Sequence, residues 1–288
     1  MIDQVKSVLT FRAFRPEPDD PNATWKNRFS GRPAALLNIG RASLSYVVMK
    51  DAKTFAPGGA QKGEIKEVFS VMGHAIDEAT SDGWCAVSLD TRYVISVESN
   101  LSRKKGSEEA MRKDPRSVLH GRYERGKRYA VTHNPETNSS LLLSCDEEHL
   151  KKIEVMCREQ RLKIARLCCG TYVLLRYALS KINVKKGSDN PVSALFITCS
   201  GGSLCVLSQQ KDNWVEIRSR PDVYDGDLES LMELISPFNE RIADDGLVVL
   251  ACDQPIPGLP ERLREVFAGH ELNDLTEPAL LARLVYEG

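Results

Sequence analysis

The stretch "GLVVLACDQPIPGLPERLREVF", Gly246 to Phe267, runs from an apolar segment through a Pro/Gly-rich turn into an amphipathic segment. Strand-to-helix turns of this kind hold nucleotides when they are rich in glycine, because the backbone can then approach the ligand closely. Here the turn carries Cys252, Asp253, Gln254 and three prolines. Two other glycine turns, Ile39-Gly40-Arg41 and Ser200-Gly201-Gly202, each stand between apolar runs. Thiol chemistry is the other possibility. Eight cysteines stand at 85, 145, 157, 168, 169, 199, 205 and 252, with Cys168 and Cys169 adjacent. There is no C-x-x-C, and none of the five histidines lies at zinc-finger spacing from a cysteine pair. Most of the cysteines lie in apolar runs such as "LFITCSGGSLCVL", where free Cys acts as a small hydrophobe. Redox or metal use of Cys168 and Cys169 is the alternative. His74 falls within a helical pattern without an evident Ser or Asp partner, so it reads as a surface or satisfied core histidine.

The elements that would hold these residues follow from periodicity. "AALLNIGRASLSYVVMKD" predicts two strands joined at Gly40, and "APGGAQKG" a loop. Ile65, Val68, Phe69, Met72, Ile76 and Ala79 mark one helix face. "WCAVSLDTRYVISVES", "RYAVTH", "SSLLLSC" and "RLKIARLCC" predict further strands. Helices follow from Asp146, with Leu150, Ile153, Met156 and Cys157, and from Gly170, with Leu174, Leu175, Ala178 and Ile182. The second half repeats the start of the first: strand, glycine turn, strand and strand from Val192. A helix interrupted by Pro237 comes next, with Leu228, Leu231, Met232, Ile235 and Ile242 on one face. A strand, a helix, a polar segment and a last helix in "EPALLARLVYEG" complete the chain. Trp84 and Trp214 read as core anchors of the two halves. This is a layered α/β pattern, present twice.

Before it, residues 1–12 predict a short helix, and Arg15 to Pro33, with four prolines, a linker arm. A polar hinge runs from Asn183 to Pro191. The chain of 288 residues suits two lobes. With 42 % apolar and 27 % charged residues and a net charge of −1, it reads as soluble and globular, with no field favouring nucleic acid or an acidic membrane. No apolar run is long enough to span a bilayer, and the N-terminus does not read as a secretion signal, so a cytoplasmic location is expected. Residues 101–128 carry ten Lys and Arg against four Asp and Glu. They read as a solvated surface; a docking face for an acidic partner or lipid headgroups is the alternative. Nucleic acid is disfavoured, since the aromatics there are only Tyr123, with Tyr129 just beyond, and no recognition motif is present.

The paired strand–glycine turn–strand hairpins, with "IPGLPERLREVF" and "LNDLTEPALLARLVYEG" closing the chain, resemble the actin-like ATPases. The order over about residues 33–288 looks most like PilM-type pilus assembly proteins and the cytoplasmic domain of the GspL type. The resemblance implies a two-lobed ribonuclease H/actin-like α/β fold, each lobe a mixed sheet with flanking helices. Its division would be an arm (1–32), a first lobe (33–190) with an inserted basic subdomain at about 100–165, and a second lobe (191–288). The second-lobe insertion is reduced: only about 30 residues separate its third strand from the strand at Leu247.

In that family the hairpins carry acids that organise metal and water, and amides that hold phosphates. Here Asn38 and Thr198 stand at the acid positions, Ser45 replaces a phosphate-binding lysine, and Ser200 replaces a glycine. Gly40, Ser43, Gly201, Gly202 and Ser203 remain, and Cys252 and Asp253 stand near the lost glycine pair of the third motif. Asn38, Gly40, Ser43, Thr198, Gly201, Gly202, Ser203 and Asp253 are thus expected to line a vestigial nucleotide cleft. No catalytic residue, metal site or cofactor is expected; Asn38 can still reach a metal-bound water, so weak ATP/Mg binding is the most that remains. The resemblance implies a non-catalytic scaffold of a type IV pilus or type II secretion platform, peripheral to the inner membrane. Its expected partners are the cytoplasmic tail peptide of an inner-membrane protein and other platform subunits. The alternative is a divergent ATPase or small-molecule kinase using Asp90 or Asp253.

Overall fold

The computed structural model describes residues 33–40, 43–50, 54–80, 83–99, 110, 114–133, 140–183, 193–211, 213–243 and 246–287. The expected N-terminal helix and all of the arm but Pro33, much of the basic segment (101–109 and 111–113) and all of the hinge but Asn183 lie outside them.

The first half contains β1 (Ala34–Ile39), β2 (Ser43–Met49), β3 (Phe55–Lys62), α1 (Ile65–Ala79), β4 (Trp84–Leu89) and β5 (Ile95–Ser99). A short helix, α2 (Pro115–Leu119), precedes β6 (Lys127–His133) and β7 (Ser140–Asp146). Then come α3 (Glu147–Glu159), β8 (Lys163–Cys169) and α4 (Gly170–Asn183). The second half runs β9 (Ala194–Ser200), β10 (Ser203–Gln210), β11 (Asn213–Arg220), α5 (Leu228–Ile235), β12 (Leu247–Cys252), α6 (Leu259–Val266), β13 (Glu271–Asp274) and α7 (Leu280–Glu287).

Two five-stranded mixed sheets result, ordered β3-β2-β1-β4-β8 and β11-β10-β9-β12-β13. Their logic is the same. An antiparallel meander of three strands is extended on one side by two parallel strands. This is the two-lobed arrangement with flanking helices that the duplicated pattern predicts. A third, antiparallel sheet, β5-β7-β6, branches from the first half. Tyr123, Tyr129, Val118 and Val131 pack there around buried Leu119 and Leu142.

Alternation along the central strands explains how each sheet is covered. In β9, Leu195, Ile197 and Cys199 join the core beneath α5 and α6, whereas Ala194 and Phe196 join the main core. That main core also takes in β1, β2, β4, α1, α4 and α7, so it is continuous from one sheet to the other. The crossover helix α4 lies against β8 and then against β9, β10 and β12. Trp214 is buried within this core; Trp84 is only partly buried, with the Lys163 ammonium 5.5 Å from its ring centre.

Three local expectations are corrected. "APGGAQKG" is mostly strand β3, an edge strand on β2 whose register shifts between Ser45 and Val47. Pro and Gly are tolerated at such a bulged edge, and a side chain on Gly58 would collide with the Tyr46 ring. The helix carrying Pro237 ends at Ile235 and continues only as one 3₁₀ turn, Ser236–Phe238, so Ile242 lies beyond it. Its start is fixed by Asp227, whose side chain accepts from the Glu229 amide (3.1 Å) and the Ser230 hydroxyl (2.6 Å). The polar segment after α6 contains β13, which pairs in parallel with β12 from Leu247↔Glu271 to Leu250↔Asp274. It is an edge strand of four residues, too short and polar for an alternation signal.

Candidate functional site

The two glycine turns face each other at the junction of the sheets. A Cβ on Gly40 would lie 3.8 Å from the Gly201 carbonyl oxygen. The first turn is closed by the Gly40 amide donating to the Ser43 carbonyl at 3.0 Å. The second uses Gly201 (φ +56°) and Gly202 (φ +82°), both in the left-handed region that glycine adopts without strain. The Gly202 carbonyl accepts from the Val223 and Tyr224 amides, which ties the turn to the loop after β11.

Each expected site residue has a definite place. Asn38 sits in β1 between Ser45 of β2 and Ser88 of β4; it is 7 % exposed and its Oδ1 has no hydrogen-bond partner among the described residues. Thr198 is fully buried in β9, and its hydroxyl donates to the Thr171 carbonyl in the first turn of α4 at 3.0 Å. Ser203 is buried at the start of β10, its hydroxyl without a hydrogen-bond partner among the described residues. Asp253, just after β12, accepts from the Gly201 amide at 2.9 Å and the Ser200 hydroxyl at 3.2 Å. Burial holds its carboxyl above the ordinary range, against those two bonds, which lower it.

The sequence reading missed the groups that join the lobes. A Cβ on Gly170 would come within 2.8 Å of both the Ser200 Cβ and the Ser88 Oγ. Only glycine lets α4 start in that gap. Arg92, after β4, forms an ion pair with Asp222, after β11. Asp90 is buried beside this pair and accepts from the Arg92 amide, while among the described residues nothing hydrogen-bonds its Oδ2. Burial, and then Asp222, raise the Asp90 carboxyl, although the Arg92 amide and charge oppose this. Arg92 and Asp222 are 130 positions apart, so no spacing rule could have linked them.

The other candidates resolve differently. All eight cysteines are free, and burial pushes Cys168 to about 11 and Cys169 to about 12, which keeps both as thiols. Among the described residues no group of three His, Cys, Asp or Glu side chains could hold a metal. His74 is an exposed helix-surface residue 3.1 Å from Glu78. In the described half of the basic segment, Lys127 pairs with Glu124 (2.7 Å), Arg128 with Glu154 (3.1 Å), and Arg116 stacks over Tyr123. Lys127 and Arg128 thus have carboxylate partners close by.

No protein-family model and no curated protein sequence matches the chain. Solved structures do. A chain of the PilM–PilN type IV pilus biogenesis complex is similar over 88 % of this chain and 98 % of its own, at 12 % identity and a TM-score of 0.56. A Bacteroides thetaiotaomicron protein with an actin-like ATPase fold and unknown function is similar over 90 % and 97 %, at 8 % identity and a TM-score of 0.53. This chain has the actin-like ATPase fold. The cytoplasmic domain of EpsL, an inner-membrane component of the Vibrio cholerae type II secretion system, shares it over 88 % and 92 %, at 10 % identity and a TM-score of 0.51. Among the described residues, no helix is long and apolar enough to cross a membrane.

Within this actin-like frame the cleft residues do not fit a magnesium nucleotide. Neither hairpin contains an Asp or Glu, so neither offers a carboxylate. The Thr198 hydroxyl is turned to α4, and the Gly201 amide that would meet a phosphate oxygen is already bonded to Asp253.

Proposed function

We propose that this protein is a non-catalytic cytoplasmic scaffold of a bacterial type IV pilus or type II secretion platform. It binds the cytoplasmic tail of an inner-membrane partner and docks with other platform subunits. The observation that carries the reading is the state of the cleft: an actin-like fold in which the phosphate-facing amide of the second hairpin is taken by Asp253. The likeness in fold to a PilM–PilN complex and to the EpsL cytoplasmic domain supports the assembly role.

On this reading the chain divides at about residues 33–190 and 191–288, and the branch built on β5-β7-β6 is the peptide-binding element. Both β5 and β6 are edges of that sheet, and edge strands capture extended peptides through backbone hydrogen bonds. The apolar cluster of Tyr123, Tyr129 and Leu119 supplies side-chain pockets.

Isothermal titration calorimetry with Mg-ATP, beside fluorescence anisotropy with tail peptides of platform membrane proteins, tests this. The expected result is no heat with Mg-ATP and saturable binding of one tail. Micromolar Mg-ATP binding would instead favour an ATPase or kinase. The double variant Asn38→Asp, Thr198→Asp is expected to show no ATP turnover above background, because the third motif remains closed to the nucleoside.

A further inference from the structure

The parallel register of β9 and β12 ends both strands together, with Cys252 opposite Cys199. The Asp253 amide extends that ladder by one bond, donating to the Cys199 carbonyl at 3.0 Å. Residue 253 is therefore delivered beside the glycine turn by backbone geometry alone. The carboxyl ends of parallel strands are where open α/β sheets bind ligands. Two consecutive left-handed glycines there, Gly201 and Gly202, make the kind of amide-lined concavity that takes an anion.

We propose that Asp253 is a built-in anionic ligand, whose carboxylate occupies the amide cradle of the β9–β10 turn and holds the turn in its anion-bound shape without a small molecule. Two donors converge on it, the Gly201 amide at 2.9 Å and the Ser200 hydroxyl at 3.2 Å. Because the Gly201 carbonyl abuts the Gly40 turn of the other lobe, the carboxylate also sets the surface on which the lobes meet. A cleft that in an ATP-binding protein would respond to nucleotide is here fixed by the chain. This deepens the scaffold reading and rests on it only in taking the cleft to be free of nucleotide.

Removing the side chain leaves the Gly201 N–H and Ser200 O–H facing a hole the size of a carboxylate. The test is thermal unfolding of wild type and Asp253→Ala in sodium formate, inorganic phosphate and sodium chloride at matched ionic strength. Asp253→Ala should lower Tm by about 3–6 °C. Formate or phosphate should restore part of that loss, chloride none, and wild type should respond to neither anion. An unchanged Tm, a loss that neither anion restores, or a wild type stabilised by phosphate would overturn the proposal. If Asp253→Ala does not fold, Asp253→Asn and Ser200→Ala, singly and together, decide: losses that fail to add support it, and additive losses overturn it. Mg-ATP binding to wild type would sink the scaffold reading, whereas failed formate rescue sinks only the built-in ligand.

Discussion

Asn38 and Thr198 place a buried amide and a buried hydroxyl in the central strands β1 and β9. Thr198 becomes a structural donor whose hydroxyl satisfies the Thr171 carbonyl at the start of α4. Gly170 is as specific in the opposite sense, since any side chain would enter the space between Ser88 and Ser200. Gly170→Ala should therefore destabilise by about 1–3 kcal/mol, the usual range for overpacking. Gly121→Ala, with nothing within 4 Å of the added carbon, is the matched control. Chemical denaturation of the two variants checks this, and equal losses would contradict it. Asn38 and Thr198 were legible in the sequence as departures from a motif. Their buried roles were not, because partner carbonyls and orphaned atoms depend on elements distant in the chain.

At the scale of elements, the β4–β5 turn and the loop after β11 form the latch between lobes. The Arg92–Asp222 pair is partly exposed and contributes modestly by itself. Asp90 beneath it has the larger pH signature. Its carboxyl is raised in the folded state, so folded protein holds a proton that unfolded chain has already released. The sign follows: this group favours folding at low pH, and the advantage is lost as pH rises from about 4 through the folded-state value. Asp90→Asn keeps an oxygen for the Arg92 amide but cannot ionise. Melts across pH 4–7 should show stability falling with pH less steeply in Asp90→Asn than in wild type; parallel curves would remove Asp90 as the source. Elements with clear periodicity, such as α1, α3 and α4, were readable locally. β3 and β13 were not, since edge strands carry Pro, Gly and polar residues that alternation rules reject.

Among the described residues one main core is shared by both sheets and completed by α7. Leu280, Leu281 and Val285 are buried in it, and the Val285 carbonyl accepts from Arg166 of β8 at 2.6 Å. A core that crosses the lobe boundary couples their unfolding. Leu281→Ala should cost about 2–5 kcal/mol. Hydrogen exchange in mild denaturant should show β1 and β9 amides losing protection together. Separate losses for the two strands would mean that the lobes unfold independently.

The sequence alone determined the layered α/β class and its duplication, because local periodicity carries that information. Tertiary structure decided the rest. It turned the Thr198 hydroxyl to α4, set Asp253 on the Gly201 amide, and paired Arg92 with Asp222. Those contacts join residues 27, 52 and 130 positions apart. The β9–β12 register brings Asp253 to Gly201, and the packing of two sheets around one crossover helix brings the other two pairs within hydrogen-bonding reach.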